Sequence, residues 1–178
     1  MNQTLGDLIR RNARYYPDKR AAVFEDSALT YKQLDDRSNQ LANSLLAMGV
    51  RKGDRVAVLA LNCLEYIETY FGISKMGAIA DLLNFMLKPG ELEYVINYTG
   101  VKVLILQREF LDAILSIKDR LCVEEYIILG GKAQGMATYD ELLAKASTRE
   151  PEVVVSPQDD AFIYFTGGTT GKPKGVIL

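Results

Sequence analysis

The chain has 178 residues, 48% hydrophobic and 25% charged, with a net charge of −2. That is room for one domain with a real core, a globular rather than a disordered composition, and no electrostatic reason to expect nucleic acid or an anionic membrane as partner. The absence of histidine excludes Ser-His-Asp and Cys-His hydrolases and most zinc enzymes from the chain. Cys63 and Cys122 stand isolated in apolar surroundings and are expected to be buried, reduced thiols. The longest uncharged apolar stretch, residues 56–61, is far too short to span a bilayer. The N-terminus lacks the basic-then-apolar layout of a secretory signal, so a cytoplasmic location is expected.

Thr4 followed by Asp7 predicts a helix start, with Leu5, Leu8 and Ile9 as its apolar stripe and Pro17 as its stop. Residues 21–25 and 28–31 predict two short strands joined around Asp26-Ser27 as a hairpin. Thr30 with Gln33 predicts a capping box, and Leu34, Ser38, Leu41, Leu45 and Met48 repeat at helical steps up to Gly49. Residues 55–61 suit a strand buried on both faces. Asn62 with Glu65 then predicts a cap for a helix whose Leu64, Ile67, Tyr70 and Phe71 face the sheet before Gly77 ends it.

Residues 78–83 are a second buried-strand candidate. Pro89 at a helix start, Leu92, Val95 and Ile96 on one face, and Gly100 just past the end predict a further helix. Strand is expected over 101–106, helix over 110–121, strand over 126–129, and a short helix opened by Thr138 with Glu141. Residues 147–159, with two prolines and several charges, read as a connector. Strand and helix alternate at short intervals, which predicts an α/β fold, a mostly parallel sheet flanked by helices with right-handed crossovers. Asp35 and Asp36 fall opposite the apolar stripe of their helix and read as solvated. Glu124-Glu125 and Asp159-Asp160 are assigned no site. Tyr66, Tyr70 and Phe71 at helical spacing read as core rather than as an aromatic nucleotide box.

The chemistry concentrates at the end. Residues 161–165 are a short apolar run rich in β-branched and aromatic residues, residues 175–178 begin another, and the loop between them spans 166–174. Gly167, Gly168 and Gly171 let successive N–H groups approach an oxyanion. Thr166, Thr169 and Thr170 add hydroxyl donors, and Lys172 and Lys174 add positive charge. The loop has no carboxylate or histidine, so it can bind and neutralise polyphosphate but cannot move a proton at neutral pH. It is not a Walker loop, since Gly167 and Gly168 stand too near Gly171-Lys172 and Pro173 follows the lysine. It is not the dinucleotide pattern either, because position 170 is threonine.

Tyr164-Phe165-Thr166-Gly167-Gly168-Thr169-Thr170-Gly171-Lys172-Pro173-Lys174-Gly175-Val176 resembles the signature of the adenylate-forming enzymes: acyl-CoA synthetases, luciferases and peptide-synthetase adenylation domains. Residues 29–34, 53–57 and 91–96 are similar, more weakly, to stretches that precede that loop in acyl-CoA synthetases. Phe85 stands where the family usually has proline, which bears on the turn there. The resemblance implies the N-terminal part of the large domain of such an enzyme, with residues 1–150 as an N-terminal α/β subdomain and 151–178 as connector, phosphate loop and the start of a second one. It implies ATP and Mg²⁺, with the magnesium ligands downstream of this chain, and coenzyme A as co-substrate.

By the same resemblance Thr166, Gly167, Gly168, Thr169, Thr170, Gly171, Lys172 and Lys174 are the nucleotide-binding residues. Lys174 matches the family's recurrent basic position, and Lys172 is read as solvated. No catalytic residue and no metal ligand is assigned. The Gly167 variant is similar to that of several fatty acyl-CoA ligases, so a fatty acid is the expected substrate, with no membrane span and a homodimer admitted. The strand at 176–178 reads as cut off at its beginning, and the isolated chain is expected to be inactive. The alternatives are a non-catalytic binding or interaction module and a domain that adenylates amino or aryl acids for a carrier protein.

Overall fold

The computed structural model describes residues 3–166 and 174–178. Helix α1 (Leu5–Tyr15) starts where the sequence predicts, the Thr4 hydroxyl taking the Asp7 N–H while the Asp7 carboxylate takes the Thr4 N–H. Strands β1 (Arg20–Phe24) and β2 (Ser27–Thr30) form an antiparallel hairpin as a separate small sheet. Its turn falls at Glu25-Asp26, one residue earlier than expected. Helix α2 (Tyr31–Ala47) opens on the predicted Thr30–Gln33 capping box.

The main sheet is built from β3 (Arg55–Leu59), β4 (Ile79–Leu82), β5 (Val101–Gln107), β6 (Glu125–Leu129), the two-residue β7 (Ala137–Thr138), β8 (Phe162–Thr166) and β9 (Lys174–Ile177). Its order is β7-β6-β5-β3-β4-β8-β9, and every pairing is parallel except that of β8 with β9. The sheet is covered on both faces, and its central strands are accordingly apolar without alternation. On one face α2, α3 (Leu64–Lys75) and α6 (Tyr139–Lys145) pack through Leu41, Leu45, Ile73, Tyr139 and Leu143 onto Val56, Val58, Ala80, Val103, Ile105 and Phe162. On the other, α4 (Pro89–Thr99) and α5 (Leu111–Leu115) pack through Leu92, Val95, Ile96 and Ile114 onto Ala57, Leu59, Leu104, Leu106 and Ile128. Gly100 ends α4 at φ 66, a left-handed conformation only glycine adopts without strain. The Arg55 guanidinium sits against it, donating to the Thr99 and Gly100 carbonyls.

Several expectations are corrected. Cys63 rather than Asn62 is the N-cap of α3, and it makes no side-chain cap. The helix expected over 110–121 is one short α-helix, α5, between 3₁₀ turns at Arg108–Phe110 and Lys118–Arg120, and β7 was not foreseen. Cys122 is exposed and Cys63 half-buried, so neither is a core thiol. Asp35 is not simply solvated: it accepts from the buried Lys75 ammonium at 2.7 Å. On α3 the fully buried positions are Glu68, Thr69, Gly72, Ile73, Ser74 and Lys75, while Tyr70 and Phe71 are only partly covered. The apolar stripe read from the sequence is therefore rotated relative to the buried face. Local periodicity cannot see that Glu68 meets Arg37 and Tyr139, or that Lys75 meets Asp35, Asn39 and Glu150.

Candidate functional site

β8 and β9 pair with Ile163 opposite Ile177, Tyr164 opposite Val176, Phe165 opposite Gly175 and Thr166 opposite Lys174. The two ends of the glycine-threonine loop are thus partners on one rung, and residues 167–173 join them. Thr166 closes β8, and Lys174 opens β9 with an exposed side chain. The other predicted site residues, Gly167, Gly168, Thr169, Thr170, Gly171 and Lys172, lie outside the described residues. Since β8 runs parallel to β4, the loop leaves from the sheet edge where β3, β4 and β5 also end. Ligands of open α/β sheets bind outside that carboxyl edge. The point where strand order reverses lies between β3 and β5. There the Gln107 side chain already takes the Leu61 N–H at 2.7 Å.

Packing holds the base of the loop on both sides. A Cβ on Gly175 would stand 3.3 Å from Phe165 Cζ and 3.5 Å from Ile163 Cγ2, so the Phe165 ring lies across Gly175 closely enough that a side chain there would press on it. An aromatic over a strand glycine pins register, here the rung next to Thr166 and Lys174. On the opposite face the Tyr164 hydroxyl meets the Tyr70 hydroxyl at 2.9 Å, and the Tyr70 ring packs on Phe162 with centroids 4.2 Å apart. Helix α3 is thereby tied to the strand that carries the loop. The sequence reading missed this role; its signal was Tyr70 on a helix and Tyr164 two residues before Thr166, a pairing only the fold brings together.

Burial pushes the Tyr66 phenol up to about 12 and the Tyr70 phenol well above its ordinary range. Both stay protonated at neutral pH and serve as fixed hydrogen-bonding groups. Burial likewise pushes the Cys63 thiol up to about 11, which makes it a poor nucleophile. After β4 the chain turns at Asn84-Phe85: Asn84 Oδ1 takes the Met86 N–H at 2.9 Å, and the Asn84 carbonyl takes the Leu87 N–H. Phe85 and Met86 stay exposed at the carboxyl edge.

Among the described residues no group of three or more His, Cys, Asp or Glu side chains is placed to hold a metal ion, and no helix is long and apolar enough to cross a membrane. A cavity of about 250 Å³, lined by residues including Leu5, Gly77, Pro157, Asp160, Phe162 and Leu178, opens at the amino ends of β4 and β8, the sheet edge opposite the loop. At the base of the loop the described Lys174 brings positive charge to the carboxyl edge. Proton transfer has no group there among the described residues.

Residues 9–178 match the family model described as AMP-binding enzyme. The long-chain-fatty-acid–CoA ligase FadD13 of Mycobacterium tuberculosis is 34% identical over 98% of this chain and 35% of its own length. The crystal structure of the anthranilate CoA ligase AuaEII in complex with anthranoyl-AMP superposes with a TM-score of 0.94 at 34% identity, covering 98% of this chain and 34% of that one. The inhibitor-bound N-terminal domain of FACL13 from M. tuberculosis superposes with a TM-score of 0.89 at 33% identity, covering 99% of this chain and 44% of that one. The chain spans about a third of the length of the curated relatives it matches.

Proposed function

The chain belongs to the AMP-binding enzyme family, and from that premise we propose that it is the N-terminal portion of an ATP-dependent, AMP-forming fatty acid–CoA ligase. In the first half-reaction a carboxylate attacks the α-phosphate of ATP, giving an acyl-adenylate and releasing pyrophosphate. In the second the thiol of coenzyme A attacks the acyl carbon, a thioester forms and AMP leaves. The observation that carries this reading is the Thr166–Lys174 rung at the carboxyl edge of the sheet, closing a loop of glycines, threonines and lysines within the matched region.

In this reading the loop amides and the hydroxyls of Thr166, Thr169 and Thr170 hold the β- and γ-phosphates, and Lys174 offsets charge as pyrophosphate departs. Lys172 stays in solvent. Magnesium takes no ligand from this chain. Residues 1–150 form one subdomain, 151–178 begin the next, and the location is cytoplasmic. The fatty acyl substrate is favoured by the 34% identical long-chain ligase. An aryl acid is the second reading, favoured by the equal identity to the anthranilate ligase.

A chimera in which this chain replaces the matching third of the long-chain ligase tests the proposal. Pyrophosphate release dependent on ATP and long-chain fatty acid is expected, and Lys174→Ala is expected to abolish most of it. Release with anthranilate or benzoate but not fatty acid selects the aryl reading, and a folded chimera without release overturns both. The chain alone, in the same assay, is expected to read background.

A further inference from the structure

Asp81 lies at the centre of β4 with no exposed surface. Alternation along β4 turns it to the α4 side of the sheet, where its Oδ2 lies 2.7 Å from the Thr99 hydroxyl in the last turn of α4. Its Oδ1 has no hydrogen-bond partner; Ser38 Oγ is the other buried side-chain polar atom so placed among the described residues. The charged groups of the surrounding elements are turned elsewhere. On β3, Arg55 spends its guanidinium on the carbonyls of Gly53, Thr99 and Gly100. On α4, Glu91 takes the Lys88 N–H and Glu93 is paired with Arg120. On β8 the titratable group is Tyr164, on the opposite face of the sheet. On β4 itself Asp81 is alone.

Hydrogen counting decides the protonation state that fits. The Thr99 hydroxyl owns one hydrogen, yet three oxygens stand around it: Asp81 Oδ2, the Val95 carbonyl at 3.0 Å and the Ile96 carbonyl at 3.3 Å. If Asp81 is a carboxylate, all three are acceptors and compete for that hydrogen. If Asp81 carries a proton, it donates to Thr99 Oγ1, and Thr99 is released to donate to Val95 as helical threonines do. The chain of donors is then complete, and no charge is left in an apolar slab.

We propose that Asp81 is a proton-linked latch between β4 and the C-terminal turn of α4, closed by a neutral carboxylic acid that donates to Thr99 and loosened when that acid ionises. Burial, partly opposed by the Thr99 hydrogen bond, raises the carboxyl from 3.8 to about 6. The folded state thus holds this proton more tightly than the unfolded chain does. The resulting stabilisation is complete below about pH 4 and is lost as pH rises through about 6. In the sheet register Asp81 stands between Ala57 of β3 and Ile163 of β8, the latter three residues before Thr166. Burial raises the Glu68 carboxyl as well, on the opposite face of the sheet, and comparison with Asp81→Asn cancels that contribution. The inference is independent of what the loop binds.

The test is urea unfolding of the chain and of Asp81→Asn at about pH 5 and about pH 7.5, with the side-chain carboxyl carbon of Asp81 followed by NMR across the range. The Asp81 contribution lowers the folding equilibrium constant about tenfold between those values. Asparagine donates to Thr99 at every pH, so the variant is expected to lack that tenfold fall while sharing every other group's contribution. An Asp81 resonance titrating near 6 agrees with the latch whether or not the variant folds. A resonance titrating near 4, or a variant whose pH response equals the parent's, overturns it.

Discussion

The two faces of the sheet bury ionisable groups in opposite ways. Beneath α2, α3 and α6 the buried charges are fully partnered. Glu68 accepts from Arg37 Nε at 2.5 Å and from the Tyr139 hydroxyl at 2.9 Å, and the Lys75 ammonium donates to Asp35, Asn39 and Glu150. These bonds join α2, α3, α6 and the connector after α6. Beneath α4 one acid, Asp81, lies among aliphatic side chains with one oxygen unserved. A buried charge is tolerated in proportion to the donors and counter-charges around it, and stranding one is costlier than never burying it. The first face uses ionisable groups to fix how elements dock, and there burial raises the Glu68 carboxyl against the pull of Arg37 and Tyr139; on the second, Asp81 is raised with no counter-charge beside it.

The same substitution should therefore have opposite signs on the two faces. Glu68→Leu strands the buried Tyr139 hydroxyl and leaves Arg37 only its longer contact with Asp140, and is expected to cost about 3–5 kcal/mol of stability by urea unfolding. Asp81→Leu removes a half-satisfied acid and leaves Thr99 its bonds to Val95 and Ile96, and is expected to raise stability by about 1–2 kcal/mol at about pH 7.5. A loss in both would erase the contrast. The smallest effect probes the seam to the loop strand: Tyr70→Phe keeps the ring contact with Phe162 and deletes the bond to Tyr164, with an expected cost of about 0.5–1.5 kcal/mol. Hydrogen exchange of the β8 amides should rise with it, and unchanged protection there would remove Tyr70 as a tether.

What was legible in the sequence was whatever the chain completes within a few residues. The capping boxes at Thr4–Asp7 and Thr30–Gln33 formed as read, because their partners are three residues apart. The α/β alternation and the two strands flanking the glycine-threonine loop were legible for the same reason. Short-range rules failed at three places, and at the last of them, α3, distant partners account for the outcome. The Asn62 cap gave way to Cys63, the 110–121 helix broke into turns, and the polar side of α3 became its buried side.

The sequence by itself determined the elements, their class and the chemical character of the loop, since propensity, capping and side-chain type are local properties. Tertiary structure alone decided that β8 settles beside β4 rather than beside β7, the strand just before it in the chain, and that Tyr164 reaches Tyr70. It also decided that Glu68 and Lys75 are buried with partners while Asp81 is buried nearly without. Those outcomes depend on groups 18 to 94 residues apart, whose meeting is set by strand order and helix docking, and no window along the chain contains both members.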